Sequence, residues 1–177
     1  MLSVPQTASV ATPPRNLEKV LLLLPPLFAG LAVMNFIETN GFDMPLLIGD
    51  RTRAAFDLWS LQHFCAGILL GALLMRTPIG SAPRPSFALF GVLLALSWEA
   101  AELAMEAGWL GAAISHWKDG FEHWSNRLFG DPLMVTSGCL VARRFHQAWK
   151  IVLAPAGIWF LINVTSPTSM TIQRLLF

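Results

Sequence analysis

The chain has 177 residues, of which 54% are hydrophobic and only 13% charged, and its mean hydropathy is +0.55. That is about half the charge of an ordinary soluble domain, so the composition points to an integral membrane protein with room for about four or five spanning helices of roughly 20 residues each. A net charge of +1, with 12 Lys and Arg scattered along the chain, excludes the basic stripe that nucleic-acid binding requires.

Residues 1–16 are rich in Pro, Thr and Ser and lack the basic region, apolar core and cleavage site of a secretory signal, so they read as a disordered cytoplasmic tail. A first span is predicted from about Leu17 to Phe36, kinked at Pro25 and Pro26 because neither has a backbone N–H. Residues 38–57 gather Glu38, Asp43, Asp50, Arg51, Arg53 and Asp57 around a short apolar run, the pattern of an external loop with an interfacial segment. A second span follows from about Phe56 to Met75, with Gly67 and Gly71 at the GxxxG spacing that admits a neighbouring helix. After a Pro- and Gly-rich turn at 76–85, a third span runs from Ser86 to Met105 and stops at Gly108.

Residues 109–130 are amphipathic and too polar to cross lipid, and are expected to form an interfacial helical segment. Asp131 as N-cap, with Pro132 at the first helical position, opens a short fourth span that ends at Arg143 and Arg144. A fifth apolar stretch, about Ala148 to Val164, is interrupted by Pro155. The expected fold class is all-α: one polytopic transmembrane bundle over residues 17–166 with about five spans, then a short tail at 167–177. Cys65 and Cys139 fall within spans without CxxC spacing and read as small buried hydrophobes.

Positive charge orients this bundle. Arg15 and Lys19, Arg76 and Arg84, and Arg143, Arg144 and Lys150 form three groups at alternate span ends, which the positive-inside rule makes cytoplasmic. The expected location is a bacterial inner membrane, multi-pass, with the amino terminus cytoplasmic and the loops 38–56 and 109–130 outside.

Within the apolar stretches His63, Glu99 and Glu102 stand out, because an ionisable group at membrane depth costs several kcal/mol unless it meets a partner or a wet cavity. Glu99 and Glu102 are spaced i, i+3 and share a helix face. His116, Asp119 and His123 would form one stripe if their segment is helical, with Asn126 and Asp131 within reach. His63, Glu99, Glu102, Asp119, Asn126 and Asp131 are therefore the candidate acid–base residues. His63, Glu102, His116, Asp119 and His123 are candidate ligands for a divalent metal such as zinc, iron or manganese. A direct His63–Glu102 pair acting as a structural strut is the plain alternative. No cofactor is specified by any motif.

The run Ser60-Leu61-Gln62-His63 with Gly67, the Trp98-Glu99 pair with Glu102, and the stretch from Asp119 through Asn126 and Gly130-Asp131 to Gly138 and Arg143-Arg144 resemble the pattern of VanZ-like and related small bacterial inner-membrane proteins. The resemblance covers about residues 57–145, and His116 and His123 lie outside its pattern. It implies a role in the cell envelope rather than a defined reaction. Two functions are carried forward: a membrane protein whose outer-face acid–base or metal site acts on a lipid or envelope amphiphile, and a noncatalytic accessory subunit that packs against other membrane subunits.

Overall fold

A computed structural model of the chain describes residues 15–176, with side chains from Leu27 to Leu175. The tail expected at residues 1–16 lies outside the described residues except for its last two, which open α1 (Arg15–Asn40). The α1 helix continues through Pro25 and Pro26. After it come two three-residue strands that the sequence pattern did not anticipate, β1 (Leu46–Ile48) and β2 (Ala54–Phe56), paired in parallel with Leu46 opposite Ala54 and Ile48 opposite Phe56.

The remaining elements are helical. α2 (Leu58–Leu74) starts at a capping box in which the Asp57 carboxylate accepts from the Ser60 N–H and the Ser60 hydroxyl accepts from the Asp57 N–H. α3 (Arg84–Glu106) ends where Gly108 takes a φ of +77°, a conformation that costs glycine little. α4 (Ala112–Lys118) is short, and a π-helical turn at Asn126–Gly130 leads into α5 (Asp131–Arg144). α6 (Ala148–Thr165) carries Pro155 internally, and α7 (Thr171–Leu176) closes the described chain.

Among the described residues, α3 and α6 are long and apolar enough to cross a membrane, while α2 is apolar but shorter, at 17 residues. α2 packs chiefly against α5, and α3 and α6 flank that pair. A small apolar core of Leu74, Phe87, Ala95, Val135 and Cys139 lies where α2, α3 and α5 meet. A Cβ added at Gly71 would come within 2.7 Å of the Cys139 backbone, and one added at Gly138 within 2.8 Å of the Ile68 nitrogen. Glycine is thus what lets α2 and α5 touch at backbone distance.

Contacts define two ends of the bundle. At one, the His123 N–H donates to the Arg51 carbonyl at 2.8 Å, and the Ser169 N–H donates to the Trp117 carbonyl at 2.8 Å. The loops at 41–57 and 107–125 and the segment after α6 therefore meet there. At the other end Arg143 donates to the Ala82 carbonyl at 2.8 Å, and Arg76 lies over the Trp149 ring.

Two expectations about local structure need correction. Residues 109–130 are not one helix: α4 ends at Lys118, Asp119 turns left-handed at φ 58°, Gly120 follows at 93°, and the chain stays irregular through His123. Nor is Asp131 an N-cap. The π-helical turn already delivers the Asp131 N–H to the Asn126 carbonyl, so the helix does not start there and the carboxylate is free to face α2.

Candidate functional site

Nine charged residues are buried at the end of the bundle where the two loops meet: the carboxylates of Asp57, Glu99, Glu102, Glu106, Glu122 and Asp131, and the cations of Arg51, Lys118 and Arg127. His63 is buried among them. α3 contributes Glu99, Glu102 and Glu106 at i, i+3 and i+7, one face of one helix. α2 contributes Ser60 and His63, α5 contributes Asp131, and the irregular segment after α4 contributes Glu122.

The three cations have specific partners. Arg127 reaches Glu106 Oε2 at 2.6 Å and Glu122 Oε2 at 3.3 Å, and its Nη1 donates to the Glu99 backbone carbonyl at 2.8 Å. Arg51 reaches Glu106 Oε1 at 2.6 Å and donates to the Gly120 carbonyl at 2.6 Å. Lys118 reaches Glu102 Oε1 at 2.6 Å and lies over the Trp59 ring. Charge-assisted bonds of this length are the strong class, and here they tie α3 to both loops.

Three carboxylates, Asp57, Glu99 and Asp131, have no such ion pair at hydrogen-bond distance. Neither oxygen of Glu99 has a hydrogen-bond partner, although the residue is 0% exposed, and Asp131 Oδ2 has His63 beside it. The nearest polar atoms to Glu99 are His63 Nε2 at 3.6 Å from Oε1 and Arg127 Nη1 at 3.7 Å from Oε2. His63 Nδ1 stands 3.1 Å from the Trp59 carbonyl and 3.1 Å from Asp131 Oδ2. Both are acceptors, so a neutral His63 carries its proton on Nδ1 and turns Nε2 toward Glu99.

Ser60 binds the cluster together. Its hydroxyl oxygen lies 2.9 Å from Asp131 Oδ1, 3.2 Å from Asn126 Oδ1 and 3.3 Å from Asp57 Oδ1. One hydroxyl proton cannot serve three acceptors. Burial, together with the neighbouring Asp131 charge, pushes the Asp57 carboxyl up to about 6, and below that pH a proton there supplies a second donor. In the loop beyond α4, burial and the charge of Glu99 hold the Glu122 carboxyl well above the usual range, despite Arg127.

Two cavities adjoin the cluster. A small one of about 10 Å³, enough for one water-sized occupant, is lined by Arg51, Asp57, Trp59, His63, Glu102, Lys118, Glu122 and Asp131. A second, of about 460 Å³, runs between α2, α3 and α6. Its walls include Ala66, Leu70, Leu94, Ala95, Trp98, Val135 and Phe160, and its polar groups are Gln62, His63, Glu102, Lys118 and Asn163. His63, Glu102, Lys118 and Trp59 line both cavities.

Of the residues singled out in the sequence, His63, Glu99, Glu102, Asn126 and Asp131 come together here. His63 and Glu102 do not form the direct strut: His63 faces Asp131 and Glu99, and Glu102 takes Lys118. His116, Asp119 and His123 stay apart because the helical stripe breaks at Lys118. His116 is exposed, and Asp119 pairs with Arg174 at the surface. His123 is packed against Phe36 with its Nδ1 on Ser125, and burial lowers its imidazole below the ordinary value.

Arg51, Asp57, Ser60, Glu106, Lys118, Glu122 and Arg127 are site residues that motif reading passed over. A charge-balance requirement points to two of them: buried carboxylates need cations, and Lys118 and Arg127 are the sole Lys or Arg between residues 109 and 130. No family model, curated protein or solved structure matches this chain.

Proposed function

We propose that the chain is a polytopic membrane protein whose outer-face polar site acts on an amphiphile, taking its tail into the cavity between α2, α3 and α6 and its head group against His63, Glu102 and Lys118. The observation that carries this reading is the 460 Å³ cavity, whose mainly apolar wall runs into the buried charge cluster. A volume of that order is typical of small-molecule sites, and a few polar groups at one end of an apolar wall match a molecule with one polar end. Lys118 and the indoles of Trp59 and Trp117 border the head-group end, while Leu70 and Leu94 lie along the tail. In this reading α1, α2, α3, α5 and α6 all cross the bilayer. The exposed apolar side chains of α6, among them Ile151, Ile158, Phe160 and Leu161, face lipid.

The chemistry available is proton transfer. His63 and Glu102 both reach the cavity, and each is backed by a second charged group, Asp131 behind the imidazole and Lys118 on the carboxylate. The resemblance to VanZ-like proteins supports an envelope lipid or lipid-linked precursor as the amphiphile. Native mass spectrometry of protein extracted in mild detergent tests the reading. A retained amphiphile of defined mass is expected, and Ala66→Trp, which fills the cavity wall, removes it. A chain that carries no amphiphile, or that is recovered only within a larger complex irrespective of Ala66→Trp, overturns the proposal in favour of an accessory subunit.

A further inference from the structure

Six buried carboxylates face three buried cations, and the pairing described above uses all three cations on Glu102, Glu106 and Glu122. Asp57, Glu99 and Asp131 are left over, and the last two sit on either side of His63. Both Glu99 oxygens are buried without a hydrogen-bond partner, and an isolated carboxylate in such a place is among the costliest arrangements a protein can hold. Protons or a cation must offset it.

We infer that His63, Glu99 and Asp131 form a binding site for one divalent transition-metal ion. One donor atom from each lies within 4.8 Å of the others, and they come from three different helices, α2, α3 and α5. His63 offers one nitrogen to a single ion, and its Nε2 stands 3.6 Å from Glu99 Oε1, close to the edge of a coordination polyhedron. With bonds of about 2.0 to 2.2 Å, that edge is about 3.3 to 3.6 Å. One imidazole nitrogen with two carboxylates suits zinc, manganese or iron better than magnesium or calcium, which favour all-oxygen shells.

A second carboxylate triad, Glu99, Glu102 and Glu122, meets the same distance limit, but Lys118 and Arg127 already pair with two of its members. Glu99 belongs to both triads and is the residue on which the site depends. The metal site goes beyond the amphiphile reading and stands without it, since it requires only the chain itself.

The test uses the full chain, purified in detergent, stripped with chelator and titrated with Mn²⁺ and, separately, Zn²⁺. One ion per chain is expected, with a rise in Tm that follows ion concentration. Glu99→Gln keeps the side-chain shape and removes the uncompensated charge, so it folds at least as well as the parent, binds the ion about 100-fold more weakly or worse, and shows no ion-dependent Tm. Glu38→Gln, at an exposed position, behaves as the parent. Mn²⁺ and Zn²⁺ binding that is absent, or equal in parent and Glu99→Gln, overturns the inference. The amphiphile assay, run on chelator-stripped protein, fails or succeeds separately.

Discussion

Asp57 holds two roles that pull its proton in opposite directions. As the N-cap of α2 it accepts from the Ser60 N–H at 2.9 Å, which favours the charged form, while burial and Asp131 favour the neutral one and win, taking the carboxyl to about 6. The ordinary value is 3.8. The folded chain therefore binds a proton that the unfolded chain has released, so stability falls as pH rises from about 4 through about 6. Asparagine caps a helix as well as aspartate does and cannot titrate. Asp57→Asn is expected to match the parent in Tm at pH 4 and to exceed it at pH 8, measured by thermal melts in detergent. A constant offset across that range would show that Asp57 does not carry the proton. At this scale the sequence revealed Glu99, Glu102 and His63 because charge in an apolar run is conspicuous. Arg127 and Arg51 were hidden because they sit in polar stretches, where charge is ordinary, and only the fold turns them inward.

At the scale of elements, the spans at 56–75, 86–105 and 148–164 were read from apolar runs and correspond to α2, α3 and α6 within a few residues. Gly108 likewise marks the end of α3, since its positive φ is a local property of a single residue. The stripe of His116, Asp119 and His123 failed for the converse reason: periodicity assumes the helix continues, and Asp119 and Gly120 break it by adopting left-handed backbone, which spacing alone does not encode. The two short strands were equally invisible, because Leu46–Ile48 and Ala54–Phe56 are too brief to show an alternating pattern. The glycines of α2 and α5 matter for the site as well as for packing, since the same helix pair carries Ser60 and His63 on one side and Asp131 on the other. A side chain at Gly67 would run into the Val135 backbone, whereas one at Gly157 in α6 meets nothing within 4 Å. Gly67→Val should therefore cost about 1–3 kcal/mol and part the helices. Gly157→Ala should be neutral or gain up to about 1 kcal/mol from helix propensity. Thermal melts of the two variants, with Gly67→Val also weakened in Mn²⁺ binding, check this, and equal stability would mean that α2 and α5 are not held at backbone contact.

For the molecule as a whole, the placement of cations argues for one orientation. At the end that holds the site, Arg51, Lys118 and Arg127 are 3% exposed or less and are spent on buried carboxylates, and Arg174 is paired with Asp119, so Arg53 is the main free cation among the described residues there. At the opposite end Arg76, Arg84, Arg144 and Lys150 are exposed and Arg143 is half-buried. Topology follows Lys and Arg near span ends and is nearly blind to Asp and Glu, so the acids gathered at the site do not themselves determine which way it faces. Under the proposed membrane reading the exposed cluster at the far end does, so that end is expected in the cytoplasm and the His63–Glu99–Asp131 site toward the outer leaflet, where an envelope amphiphile can reach it. A membrane-impermeant thiol reagent applied to intact cells tests this directly. Cysteine placed by His116→Cys, exposed at the site end, should be labelled, and cysteine placed by Ser81→Cys, exposed in the turn between α2 and α3, should be protected until the cells are broken. The reverse pattern would put the site on the cytoplasmic face and limit its amphiphile to the inner leaflet. Labelling of both positions in intact cells would mean that the bundle does not separate its two ends across a membrane, and the amphiphile reading would fall with it.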